Sequence, residues 1–167
     1  MTGEEILSPI TPLSWIVARL REHQPLLNLL GDGPFPTLGQ DGLTPTIYQA
    51  GEVPVDHPAR FVVVKPPTYH ALDHYANLVP RKMDAQYLVY GETQSDKLPP
   101  GLDLDGVLEP IFRQIVRALW RLSTVEAIGG KVLQVEVLDA YTPRPIDLTE
   151  TVKVKQWGVQ LALISVT

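Results

Sequence analysis

Apolar residues near the start of the chain recur at the spacing of one face of an α-helix. Thr11-Pro12 is a favourable start, because proline suits the first helical position. Pro25 disfavours helical backbone at Gln24. The pattern therefore predicts one helix to about residue 23 and a second, short helix over 25–31 that ends at Gly31. The apolar stripe of the first helix consists of Leu13, Ile16, Val17 and Leu20.

From residue 45 onwards, apolar and polar residues alternate with a period of about two, which is typical of β-strands. Val152 and Val154 fall out of phase with the apolar residues from Trp157 onwards. This change of phase predicts a bulge near Lys155-Gln156 or at Gly158. The predicted strands cover residues 45–50, 60–65, 82–92, 131–140 and 151–165.

The strongest helical pattern covers about residues 106–123. Asp103 or Asp105 is placed to cap this helix. Pro110 is tolerated if the helix begins near Gly106, because the first four helical N–H groups have no partner. The order of elements, without an internal repeat, predicts one α+β domain over 1–167, with a mainly antiparallel sheet of about five strands and two principal helices. We expect the helix to bury Leu108, Ile111, Phe112, Ile115, Leu119 and Leu122.

Composition narrows the class of protein. The chain has 167 residues, 44% of them hydrophobic, and a net charge of −5, which argues against a broad phosphate-binding surface. It has no cysteine, which excludes disulfides, thiolate nucleophiles and cysteine-ligated metals. The acidic N-terminus and the lack of a long apolar run predict a protein made and kept in the cytoplasm, without a membrane partner. The 16 prolines lie mainly between periodic segments and predict stiff, ordered loops.

The stretch TYHALDHY, residues 68–75, contains histidine and aspartate, residue types that can ligate a metal ion. In a helix, His70 and His74 would share one face with Asp73 between them, as in the inverted zincin pattern. That pattern uses glutamate on a long helix, whereas Pro66-Pro67 and Pro80 leave room here for about three turns. A metal-dependent hydrolase is therefore the lesser alternative, and we predict no metal, no cofactor and no catalysis. The favoured interpretation is a loop or helix that presents Tyr69, His70, His74 and Tyr75 to a partner.

Three arginines, Arg113, Arg117 and Arg121, form one basic line along the long helix, with Glu109 at its head. The line is either a contact for an acidic partner or nucleic acid, or a solvated or subunit-contacting face. We favour the second because the chain as a whole is acidic. Glu109 and Arg113 are in the favourable order for an ion pair four residues apart.

The order of the pieces, more than any motif, resembles the tail terminator, or tail completion, proteins of long-tailed bacteriophages. The resemblance runs from about Leu13 to Ile164. Two segments depart from it, since 66–80 and 93–105 are longer than a minimal member of the family needs. The matching pieces are LREHQPLLNLLGDG, HPARFVVVKP, RKMDAQYLVYGET, LEPIFRQIVRALWRL and WGVQLALISV.

The resemblance implies a virion protein at the tail–neck junction, assembled in the host cytoplasm. Such a subunit forms a ring, typically hexameric, on the head-proximal end of the tail tube, where it ends tube polymerisation. Its partners would be copies of itself, the tail tube protein and a head–tail connector or head completion protein, with DNA only as passing cargo. A structural alternative is another neck ring component, such as a head completion or connector protein.

On this interpretation, loops 66–81, 93–104 and 141–150 carry the ring, tube and connector contacts. Tyrosine and arginine are enriched at interface hot spots. The expected anchors are Tyr69, Tyr75, Tyr141 and Arg144.

Overall fold

The computed structural model describes residues 12–33, 45–71, 82–120, 126–128 and 131–166, which form three α-helices, one short 3₁₀ helix and eight strands. The helices are α1 Pro12–Glu22, α2 Gln24–Leu27 and α3 Leu104–Trp120, and the 3₁₀ helix is Ser95–Lys97. The strands are β1 Ile47–Gln49, β2 Arg60–Val64, β3 Thr68–Ala71, β4 Lys82–Gln94, β5 Glu126–Ile128, β6 Lys131–Tyr141, β7 Ile146–Asp147 and β8 Lys153–Val166. Among these described residues, no helix combines the length and the apolar character needed to cross a membrane.

The long strands β4 and β8 pair antiparallel at the centre of the sheet, in one register from Lys82↔Val166 to Gln94↔Val154. The sheet order is β1-β2-β4-β8-β6-β5, with β3 beside β4 and β7 beside β8. Among the described strands, only β1 and β2 pair in parallel. The predicted α+β class with a mainly antiparallel sheet is confirmed, but the described residues form a sheet of eight strands rather than about five. The additional strands β3, β5 and β7 have two to four residues each, too few to produce a periodic pattern.

The helices pack on one face of the sheet and enclose the main core. Helix α3 buries Leu108, Ile111, Ile115 and Leu119 against β4 and β8, as the apolar stripe predicts. Gly91 on β4 allows this close approach, because a Cβ there would lie 2.6 Å from Cγ2 of Ile111. The described part of the opposite face has a smaller aromatic cluster, in which Tyr48, Phe61, Val63 and Tyr90 are buried.

The first helix ends where Pro25 predicts, but the second is shorter than predicted and includes Gln24: it covers Gln24–Leu27 and ends four residues before Gly31. The N–H groups of Leu29 and Leu30 bond to carbonyls three residues back, so the chain continues as tighter turns up to Gly31. Helix α1 ends at Glu22, and α2 begins at Gln24 with proline in its first turn. Gly31 has φ 107°, a left-handed conformation that glycine adopts readily. The buried Arg60 holds the following turn, because its Nε donates to the Leu29 carbonyl at 2.9 Å and its Nη2 to the Gly33 carbonyl at 2.7 Å.

Helix α3 begins at Leu104, two residues earlier than predicted. The Asp103 carboxylate accepts a hydrogen bond from the Gly106 N–H at 2.7 Å, so Asp103 is the cap. The earlier start places Pro110 inside the helix, beyond the four N–H groups that have no helical partner. The Gly106 carbonyl, four residues before the proline, therefore receives no helical N–H from it.

The structure has a bulge in β6, whereas the sequence predicted one in β8. Strand β8 pairs with β4 without interruption, so neither Lys155-Gln156 nor Gly158 is bulged against β4. The register shift is in β6, between Val137 and Asp139. The phase change in β8 has a simpler cause: Val159 and Leu161 face the helices, and Val154 lies on the opposite side of the strand.

Candidate functional site

The segment that looked like a metal site begins as a strand. Tyr69 and His70 belong to β3, which pairs with β4 through Tyr69↔Ala85 and His70↔Asp84. The helix that a metal site with His70 and His74 on one face would need is therefore not formed at His70, whose backbone belongs to a strand. Strand β2 pairs with residues 89–93 of β4, which leaves residues 83–86 on the same edge for β3. Asp73, His74 and Tyr75 lie outside the described residues, and the described part of the chain has no group of three potential metal ligands.

The arginines of α3 have different surroundings. Arg113 is exposed and donates from Nη2 to Glu109 Oε1 at 2.6 Å, which confirms the predicted pair. Arg117 is exposed one turn further along and has no carboxylate partner among the described residues. Arg121 lies outside the described residues. The basic line therefore contributes one ion-paired cation and one that borders a groove.

This groove lies between the start of α2 and the second half of α3, and has a volume of ≈ 400 Å³. His23 Nε2 lies 2.9 Å from Gln114 Oε1, a hydrogen bond that joins the α1–α2 junction to α3. Trp120 ends α3 with 62% of its surface exposed. We refer to this surface as the helix groove, lined by His23, Pro25, Gln114, Val116, Arg117 and Trp120.

A second exposed apolar surface lies in the connection between β6 and β8. Ile146 is 57% exposed and Leu148 is 58% exposed. Their backbone is nevertheless ordered by hydrogen bonds, because Ile146 pairs with Val154 and the Leu148 N–H donates to the Val152 carbonyl at 2.9 Å. We refer to residues 142–152 as the hairpin tip.

Polar contacts across three strands support the base of the hairpin tip. The Tyr141 hydroxyl donates to Gln156 Oε1 at 3.1 Å, and Gln156 Nε2 donates to Glu92 Oε1 at 2.8 Å. Tyr90 packs on Tyr141 with ring centroids 5.7 Å apart. Burial, followed by the charge of Glu92 and by Tyr141, raises the pKa of Tyr90 to about 12. Tyr141, predicted as an interface anchor, is thus half-buried within its own sheet, whereas Arg144 is exposed on the tip.

Two further contacts fasten the start of β8, one to the first turn of α3 and one to the 3₁₀ helix before it. Lys155 Nζ pairs with the Asp105 carboxylate, and the Lys153 N–H donates to Ser95 Oγ at 2.9 Å. Phe112 stacks on Trp157, with centroids 5.4 Å apart. The hairpin tip is therefore a rigid projection beside the N-terminal end of α3.

Sequence reasoning found Arg117 and the loop of the tip but missed Trp120, Ile146 and Leu148. Trp120 lies within the predicted helix but outside its buried stripe, where an aromatic residue is an available signal. Ile146 and Leu148 alternate with polar residues directly after Pro145, a pattern that resembles a half-buried strand. Only the three-dimensional structure shows that nothing among the described residues covers them.

Comparisons with known proteins add no information about function to what the geometry shows. No family model and no curated protein matches the chain. Among the solved structures that match, one has 13% identity and a TM-score of 0.45, and the match covers 77% of this chain and 82% of that one. At this level, the similarity carries neither a family nor a function over to the chain.

Proposed function

We propose that the chain is a structural subunit of a phage tail, which caps the head-proximal end of the tail tube as a ring and offers the surface for head–tail joining. The observation that carries the proposal is the exposure of large apolar side chains on two ordered surfaces, the hairpin tip and the helix groove. Exposed apolar groups on rigid backbone are typical of protein–protein contacts.

The order of elements adds support, because it follows the pieces that resemble tail terminator proteins: a helical start, a buried strand, a long strand, one long helix and a closing pair of strands. Rigidity favours such a role, since ordered groups lose less conformational entropy when they dock. The partners proposed are copies of the chain, the tail tube protein and a connector or head completion protein.

Electron microscopy of the purified chain with tail tubes tests this function. The tube protein encoded in the same genome is polymerised with and without the chain. We expect a ring at one end of each tube and shorter tubes when the chain is added before polymerisation. Serum albumin at equal concentration is the control for non-specific effects on tube length.

The same experiment separates the neck-ring alternative. If the chain does not bind tubes but binds portal-containing heads, it is a head completion or connector protein. A chain that forms no ring, alone or on tubes, contradicts both structural assignments.

A further inference from the structure

We propose that the hairpin tip of one subunit docks in the helix groove of the next copy, in a head-to-tail contact that closes the ring. The inference rests on the proposed function and specifies the surfaces that would join neighbouring subunits. Three observations on the described residues carry it: complementary surface chemistry, separation along the molecule, and rigidity of both partners.

The two surfaces are complementary in their chemistry. The tip offers the exposed side chains of Ile146 and Leu148, flanked by the exposed carboxylates of Asp147 and Glu150. With Arg144, residues 142–152 have a net charge of −1. The groove offers an apolar wall that includes Pro25, Val116 and the exposed side chain of Trp120, with the Arg117 cation at its border. Apolar side chains can therefore fill the groove while the carboxylates approach Arg117.

The placement of the two surfaces prevents a contact within one chain. Lys155 and Asp105 fix the base of the tip at the N-terminal end of α3. Arg117 and Trp120 lie at the other end of the same helix. At 1.5 Å per residue, about 22 Å of helix separates Asp105 from Trp120. Different patches at opposite ends of a subunit make a heterologous contact, which yields a ring when the rotation between copies closes.

Both surfaces are held in place before docking. The tip has cross-strand backbone hydrogen bonds and the Tyr141–Gln156–Glu92 network at its base. The groove is held by the His23–Gln114 hydrogen bond between the α1–α2 junction and α3. Docking therefore requires little ordering of backbone, so most of the apolar contact contributes to association.

Mixing two variants distinguishes this contact from a symmetric one. Leu148→Asp damages the tip, and Trp120→Ala damages the groove. Each is expected to weaken self-association at least about 30-fold, the loss typical of an interface hot spot. Because each variant keeps one intact surface, their mixture should form a species of two 18.5-kDa subunits and grow no further. Sedimentation velocity measures these masses.

Val55→Asp is the matched control, because Val55 is fully exposed and lies outside both surfaces. It should associate like the wild-type chain. If Trp120→Ala also forms wild-type rings but binds tubes more weakly, the groove is a tube contact and the inference is wrong. If Leu148→Asp forms wild-type rings, the tip is not a subunit contact, which also overturns the inference.

Cross-linking supplies an independent test, since the chain has no cysteine. Leu148→Cys combined with Pro25→Cys places one thiol on each surface, and a short bismaleimide should then join copies into a ladder. Each single variant should remain uncross-linked, as should Val55→Cys combined with Pro25→Cys. Dimers from Leu148→Cys alone would indicate a tip-to-tip contact and contradict the inference.

Failure of the inference differs from failure of the proposed function. If neither Leu148→Asp nor Trp120→Ala weakens the rings that form on tubes, the inference is wrong but the proposed function still holds. Absence of rings under all conditions, with and without tubes, overturns both.

Discussion

The centre of the sheet and the rim of the molecule use side chains in opposite ways. Where β4 meets β8, glycine replaces a side chain because no space exists: a Cβ on Gly158 would overlap the Val89 carbonyl oxygen and the Tyr90 backbone. At the rim, Trp120, Ile146 and Leu148 extend large apolar groups away from the described core. The first region leaves no room for another atom, and the second leaves apolar surface in contact with water.

This difference separates stability from function. Burial at the centre requires close packing, so small changes there act on folding. Apolar groups at the rim contribute little to the folded monomer, because they remain largely in water. Substitutions should therefore change the free energy of unfolding at the centre and association at the rim.

Gly158→Ala is expected to have the largest effect on stability. Its Cβ would overlap backbone atoms of β4, which cannot move without breaking the central pairing, and we expect a loss on the order of 4 kcal/mol or more. Gly91→Ala should cost less, about 1–3 kcal/mol, because its Cβ meets the Ile111 side chain instead. Urea unfolding by circular dichroism measures both. Equal costs would show that backbone overlap is not the dominant factor at Gly158.

Arg60→Met is expected to cost about 2–5 kcal/mol, because it leaves the Leu29 and Gly33 carbonyls without this donor in the interior. Arg113→Met is the matched control: its guanidinium is exposed and pairs with Glu109 on the same helix, so we expect about 0.5 kcal/mol or less. Urea unfolding of both variants checks the ranking. Similar losses in the free energy of unfolding would mean that burial does not increase the contribution of Arg60 to stability.

Tyr90→Phe should change how stability depends on pH. The pKa of Tyr90 is about 12 in the folded chain, whereas a tyrosine in the unfolded chain has a pKa of about 10. Above pH 10 the unfolded chain binds fewer protons, so this contribution to stability is present below pH 10 and is lost between pH 10 and 12. We expect a wild-type loss on the order of 2 kcal/mol over this range that Tyr90→Phe lacks. Equal pH slopes in urea unfolding of the two proteins would contradict the assignment.

Local chemistry made some elements predictable from the sequence. Pro25 marks the break between α1 and α2 by backbone sterics, and the α3 stripe predicts its buried face. Strand β3 was not predictable in this way, because its four residues are extended through pairing with the edge of β4. The bulge at Leu138 likewise depends on the register between β6 and β8, which the sequence of β8 alone does not contain.

The residues of the candidate site also fall into two groups, those that the sequence predicts and those that only the structure reveals. Arg117 and the tip loop follow from residue type and position, so sequence reasoning reaches them. The exposure of Trp120 and Leu148 depends on which faces the sheet and helices leave uncovered, and that is a property of the assembled fold. The expected role of His74, Tyr75 and Arg121 stays a prediction, since they lie outside the described residues.

Leu148→Ser is expected to have the smallest effect on the monomer. In dilute solution it should change the free energy of unfolding by less than about 0.5 kcal/mol, whereas Leu161→Ala in the core should cost about 2–5 kcal/mol. Association stabilises the folded state by mass action, so the wild-type melting temperature should rise with protein concentration. Leu148→Ser should remove that rise and keep the dilute melting temperature, as differential scanning fluorimetry over a concentration series would show. A loss as large as that of Leu161→Ala would mean that the tip packs against its own chain, and the contrast between centre and rim would fail.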